Sequence, residues 1–300
     1  MIKVIPLFLF LLITWNVSIA QNVDKGPRVL VVMAHPDDES TMSVTLYKIV
    51  KEQHGHVDIF VITNGEAGYK YATLAENYYT TSLTDEKEGR QKLPRIRKQE
   101  LINAGHILGV SNYYFADQAD AKFTINERQP LDSCWDITAV KGKLKKRLLK
   151  QHYDFIFCML PEPGTHGQHK AAALLTLDVL KDLPLATRPV VLGAVLRNRA
   201  DPVFKFNQLD HYTETQVITD TASFVVDRTV SFSYHNRMNY KVIANWEIAE
   251  HKSQGFTQMT MNDGDLESFW FFKQNSLTGQ EKCKSLFNSF KHIPYLAKTY

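Results

Sequence analysis

Four short, almost uninterrupted apolar runs set the limits on what this chain can fold into: Arg28–Ala34 (RVLVVMA), Val57–Thr63 (VDIFVIT), Asp154–Leu160 (DFIFCML) and Pro189–Val195 (PVVLGAV). Each is too short for a buried helix and lacks the polar alternation of a half-exposed strand, so each reads as a strand covered on both faces. Between them lie segments of helical period: Ser40–Gln53, Arg95–Leu108 closed by Gly109, Ile137–Lys150 and Gln168–Lys181, with a further strand at Asn112–Ala116. Strands alternating with helices predict an α/β fold, a Rossmann-like, mostly parallel sheet with helices on both faces in a single domain. In such a sheet ligands bind beyond the carboxyl ends of the strands, so residues that follow strands carry most weight.

Composition narrows the function classes. With 300 residues, 44% of them hydrophobic and 22% charged, the chain has enough apolar surface for a large core and is not a disordered protein. Lys and Arg number 35 against 32 Asp and Glu, and a net charge of +3 supplies no global field for nucleic acid, so no nucleic-acid partner is expected. The run Lys141–Lys150 (KGKLKKRLLK) carries Leu144 and Leu148 at helical spacing and reads as a solvated helix face. Ala72–Lys92 is polar without a strand period and reads as a long insertion near the site mouth, where Tyr78 and Tyr79 either pack or stack on a sugar. Three cysteines exclude a disulfide framework: Cys158 sits in an apolar strand as a buried thiol, and Cys134 and Cys283 are the pair an oxidising compartment would allow.

The first twenty residues stand apart. Met1 to Lys3 give a cationic start, Ile5 to Trp15 an apolar run, and Ser18-Ile19-Ala20 the small residues a signal peptidase reads. Residues 1–20 are therefore expected to be a signal peptide cleaved after Ala20. The apolar run is about half of the roughly 20 residues that cross a bilayer. The mature chain from Gln21 is expected to be soluble, without stable membrane insertion, and exported to the periplasm or beyond the cell.

The chemistry gathers at two turns. His35-Pro36-Asp37-Asp38-Glu39 follows the first strand and offers an imidazole and adjacent carboxylates, a set that binds a divalent metal or caps the following helix. Gly164-Thr165-His166-Gly167-Gln168-His169 follows the strand DFIFCML and opens the next helix, where histidines three apart are neighbours on one face. Either cluster alone has a bland reading. Together they fall at the same end of separate strands, where a parallel sheet brings such turns together, and that makes a metal site the stronger reading.

The AHPDDE turn resembles the signature of the PIG-L/LmbE-like family of zinc-dependent N-acetylglucosamine de-N-acetylases. Other stretches agree in order: Thr63-Asn64-Gly65-Glu66-Ala67-Gly68 after the second strand, Arg97-Lys98-Gln99-Glu100-Leu101 on a helix, and Lys241 with His251-Lys252-Ser253-Gln254. The likeness spans about Arg28 to Gln254, so residues 21–255 are expected to form the deacetylase domain and 256–300 a C-terminal extension packed on it. The resemblance implies that His35, Asp38 and His169 bind Zn2+, or another divalent metal such as Fe2+. It further implies Asp37 as general base, His166 as a catalytic electrophile or acid, and Arg97 as a substrate-binding residue. Glu66 either lines the site or closes a turn, and it leans to the site as a second substrate contact.

Two positions depart from the family's pattern. Many members read HPDH at the second cluster, whereas Gln168 here puts a neutral amide where a carboxylate would tune His166. Gly164 stands where some members carry a tyrosine. Glu100 is expected either to pair with Arg97 or to position substrate, and His251 either to meet the last carbonyls of a helix or to serve the site. The leading reading is an exported metal-dependent hydrolase acting on an N-acetylated amino sugar. A glycan-binding protein with a degenerate site and a metallohydrolase of another bond, such as a phosphoester, are the alternatives.

Overall fold

A computed structural model describes residues 26–297, and the segment read as a signal peptide lies outside them. The strands are β1 (Arg28–Met33), β2 (His56–Thr63), β3 (Asn112–Gln118), β4 (Phe155–Met159), β5 (Val190–Arg197), β6 (Phe224–Asp227), β7 (Ser231–Phe232), β8 (Met238–Asn239) and β9 (Leu266–Phe271). Seven of them form one sheet in the order β3-β2-β1-β4-β5-β9-β6, and β7 pairs with β8 alone. The pairings among β1 to β5 are parallel, while β9 runs antiparallel between β5 and β6. The strand order reverses at β1 and β4, which puts the crevice of a doubly wound sheet between their carboxyl ends.

The helices are α1 (Ser43–Tyr47), α2 (Thr73–Tyr79), α3 (Glu86–Leu108), α4 (Ile137–Lys150), α5 (Gly167–Lys181), α6 (Lys241–Glu250), α7 (Gly255–Met259) and α8 (Leu277–Ser289). Alternate residues of each central strand feed opposite faces, as the pleat requires. Val29, Val31 and Met33 pack with α1, α3, α6 and α8 residues such as Leu46, Leu101, Ile243 and Phe287. Leu30, Val32 and Ala34 pack with α4 and α5 residues such as Leu144, Ala172 and Leu177. Helices thus cover both faces, and the mostly parallel single-domain α/β architecture read from the sequence is the observed one.

Two readings need correction. The insertion at Ala72–Lys92 is largely helical: α2 occupies its first part, and α3 begins at Glu86 and runs through Pro94, ahead of the expected start at Arg95. Asp85 caps α3 by accepting from the Glu88 N–H at 2.9 Å, and the pairs Arg90–Glu86 and Lys92–Glu88 span successive turns. Second, Cys134 packs against one face of the sheet and Cys283 lies in the core of the other. The sheet separates them, and all three cysteines are free thiols. The stretch after residue 255 supplies β9 to the sheet interior and α8 to one face. Phe269 to Phe272 are buried there as a packed strand end. Among the described residues no helix is long and apolar enough to cross a membrane.

Candidate metal centre

The turn after β1 is closed by one of its own side chains. Asp38 Oδ2 accepts from the backbone N–H groups of Ala34 and His35, both at 2.9 Å. This satisfies two donors that the strand end leaves unpaired and turns Oδ1 outward. There Oδ1 meets His169 Nε2 at 3.1 Å and His35 Nδ1 at 3.5 Å, and the two imidazole nitrogens are 3.0 Å apart. Donors bound at about 2.0–2.1 Å to a tetrahedral ion lie roughly 3.3 Å from each other, so these three atoms already have the spacing of three ligands.

His169 reaches this point from the first turn of α5. Gly167 opens that helix, its N–H donating to Thr124 O at 2.6 Å. A Cβ there would come within 2.4 Å of Asn126 O, so only glycine lets the 124–127 segment cross the helix start. His166, one residue earlier, stacks parallel on His35 with ring centroids 5.0 Å apart. His35, His166 and His169 also offer nitrogens close enough to share one ion.

The groups behind the ligands are neutral on one side and acidic on the other. Gln168, fully buried, accepts from His35 Nε2 at 2.9 Å, which leaves Nδ1 as the ligand atom. Gln168 therefore acts on His35, and the expectation that it bears on His166 is corrected. Asp120, two residues beyond β3, stands 3.8 Å from His35 Nε2, and its buried Oδ1 has no hydrogen-bond partner. Burial opposes charge on His35, but Asp38 and Asp120 outweigh it and raise the imidazole to about 9. Burial likewise raises the Asp38 carboxyl, yet His169 and His35 hold it well below its usual range. Such a field retains positive charge at the nitrogens. A cation in place of the protons satisfies the same carboxylates, so the donor set fits a divalent metal. His166 responds oppositely: burial, reinforced by His35 and His169, lowers it to about 4 and keeps it neutral.

Asp37 stays outside this ligand cluster. Its Oδ1 accepts from Arg97 Nη2 at 2.8 Å and its Oδ2 from Thr257 Oγ1 at 2.8 Å. Arg97 is only 3% exposed and also donates to the carbonyls of Pro36 and Gly65. Its guanidinium faces Asp37 and backbone. Glu66 begins the turn after β2, half-buried, raised by burial, and with Oε2 unpartnered. The neighbouring Ala67 N–H donates to Asp120 Oδ2 at 3.2 Å, so Glu66 flanks Asp120. Gly164 offers only its N–H, which donates to Glu162 Oε2 at 2.7 Å.

Two other expectations resolve into structure. Glu100 does not pair with Arg97: its carboxylate accepts from Tyr79 Oη, Ser253 N and Ser253 Oγ at 2.8, 2.7 and 2.6 Å, tying α2 and the 251–254 segment to α3. Tyr79 thus packs by a directed bond. His251 is fully buried with Glu39 at 2.7 Å and Glu247 at 3.2 Å. Asp120 and Thr257 were missed by sequence reasoning. Only the position of Asp120 just past a parallel strand signals it; Thr257 follows the HKSQ stretch without any pattern of its own.

A doubly wound α/β sheet with two imidazoles and a carboxylate converging at its switch point defines the class: a Rossmann-like protein with a candidate cation centre. The chain belongs to the PIG-L family, described as GlcNAc-PI de-N-acetylase, which matches residues 30–180. It is 21% identical over 245 residues to a probable N-acetyl-alpha-D-glucosaminyl L-malate deacetylase 2 of Bacillus cereus, covering 82% of this chain and 97% of that one. The protein of the same description from Bacillus subtilis is 25% identical over 174 residues, 58% of this chain and 70% of its own. Among solved structures, a conserved protein of Thermus thermophilus shares the fold, with a TM-score of 0.50 at 17% identity over 82% of this chain and 94% of that one.

Proposed function

We propose that this chain is a metal-dependent hydrolase that removes the acetyl group from an N-acetylglucosamine-type amino sugar, free or conjugated. The observation that carries the reading is the convergence of His35 Nδ1, His169 Nε2 and Asp38 Oδ1 at ligand spacing, with an unligated carboxylate, Asp37, on the adjoining residue. Family membership and the names of the two Bacillus relatives support the substrate class.

His35, Asp38 and His169 would hold the ion, Zn2+ or Fe2+. Such a metal, when bound, lowers the pKa of water and polarises a carbonyl. Asp37 takes the proton of the attacking water as its oxygen bonds to the acetamide carbon, and Arg97 and Thr257 fix the carboxylate's direction. His166, neutral and stacked on His35 beside the ligand cluster, turns its one N–H, on the Nε2 that otherwise meets Lys122 O at 3.4 Å, to the carbonyl oxygen as negative charge develops on it. The C–N bond then breaks, the nitrogen takes up the proton held by Asp37, and acetate and a free amine leave. Gln168 and Asp120 act through His35, orienting its ring and favouring the tautomer that carries the proton on Nε2. The cationic start, apolar run and small residues of positions 1–20 support reading the protein as exported.

The test is acetate release from chitooligosaccharides and GlcNAc-linked small molecules, with and without chelator. Chelator-sensitive release supports the reading. Glycan binding with no hydrolysis under saturating zinc overturns it in favour of a binding protein, and turnover of phosphate esters alone assigns another bond.

A further inference from the structure

The outer face of His166 carries a second ring that the reaction does not use. Phe123 stacks on it with centroids 5.0 Å apart and planes 21° from parallel, so His35, His166 and Phe123 form a continuous ladder leading from the ligand cluster to solvent. Phe123 is nevertheless 75% exposed. Its backbone is held in place: His166 Nε2 meets Lys122 O at 3.4 Å, the Gly167 N–H donates to Thr124 O at 2.6 Å, and the Asn126 N–H donates to Thr124 Oγ1 at 3.1 Å. The ring is thus fixed on its inner face and presents a flat apolar face to solvent, two stacking steps from the ligand cluster.

We infer that Phe123 is the platform of a second sugar position, where a pyranose linked to the acetamido sugar lays its C–H face on the ring. This rests on the proposed deacetylation and adds the substrate class: a glycoside of at least two rings in preference to the free monosaccharide. Two stacking steps separate Phe123 from His35, so a sugar whose acetamide reaches the ligand cluster leaves its linked neighbour to cover Phe123. A flat aromatic face suits this role because an apolar ring face gains from stacking without requiring hydrogen-bond readout.

The test compares N-acetylglucosamine with the di-N-acetylated chitin disaccharide. In Phe123→Ala the ratio of kcat/KM for disaccharide over monosaccharide should fall about tenfold, the equivalent of one lost stacking contact, and Phe123→Trp should keep it. Calorimetry of the disaccharide in an Asp37→Asn background, with and without Phe123→Ala, should show the same loss in affinity without turnover. An unchanged ratio and unchanged affinity, with the wild type still releasing acetate, overturn the platform alone. A wild type that neither binds nor deacetylates either sugar overturns the deacetylase reading and the platform with it.

Discussion

Arg97 Nη2 lies 2.8 Å from Asp37 Oδ1 and joins the middle of α3 to the turn after β1. The contact links the RKQEL and HPDDE motifs, 60 residues apart in the chain, through a guanidinium that is shut off from solvent. A carboxylate held this way keeps a fixed bearing on the ligand cluster while retaining lone pairs for a proton.

Removing the proton acceptor should be worse than loosening it. Asp37→Asn is expected to lower kcat by about 10² to 10⁴-fold while metal content stays that of the wild type. Arg97→Lys keeps the charge but loses the fork that reaches Asp37, Pro36 and Gly65 together, and should cost about 10 to 100-fold in kcat with little change in metal content. Steady-state kinetics beside elemental analysis separates the two; a fully active Asp37→Asn removes this residue from the mechanism.

Metal binding should appear as folding stability. An ion that binds only the native ligand triad raises the unfolding midpoint with its free concentration. Zn2+ should therefore raise Tm, a chelator should reverse the shift, and purified protein should carry roughly one metal per chain. In His35→Ala both the shift and the metal should vanish. A thermal scan with zinc titration reads this directly, and an undiminished shift in that variant moves the ion elsewhere.

The central architecture was legible because parallel strands buried on both faces read as continuous apolar runs, and because HPDDE and HGQH stand directly after two of them. What escaped reading depends on contacts between distant segments. The helical start of α3 lacks apolar period, since its first turns are held by Asp85, Glu86 and Glu88 with their partners, and Pro94 suggests a break that does not occur. The bond from Arg97 to Asp37 spans 60 positions and only the fold reveals it. Glu100 meets Ser253 across 153 positions, a pairing no local spacing reveals. Asp120 has no companion residues to make a motif.

The cysteines should differ sharply in reactivity. Burial pushes the thiols of Cys158 and Cys283 up to about 12, so neither supplies thiolate near neutral pH. Cys134 is only partly buried. A thiol reagent should label Cys134 in native protein and all three cysteines in denaturant, with the same count after oxidation. Loss of two thiols together would show a disulfide that the intervening sheet excludes.

The helix and loop between β2 and α3 should show acid sensitivity traceable to one carboxylate. Glu76 Oε1 accepts from Leu83 N, Thr84 N and Thr84 Oγ1 at 2.8, 2.7 and 2.6 Å. These bonds fold the chain back so that Leu83 is buried with Tyr69, Ala75, Leu93 and Ile96. The Thr84 hydroxyl, then the Leu83 and Thr84 N–H groups, favour the ionised carboxylate and lower Glu76 to about 2 from 4.5. A group whose folded pKa is depressed contributes stability that is complete above its unfolded pKa and lost as pH falls through the folded one. Glu76→Gln should therefore be less stable than wild type at neutral pH, and the gap should close as pH drops through 4.5 towards 2. Chemical denaturation across that range checks the sign. A gap that widens on acidification would mean that Glu76 is not held in its charged form, and the turn that seats Leu83 would need another cause.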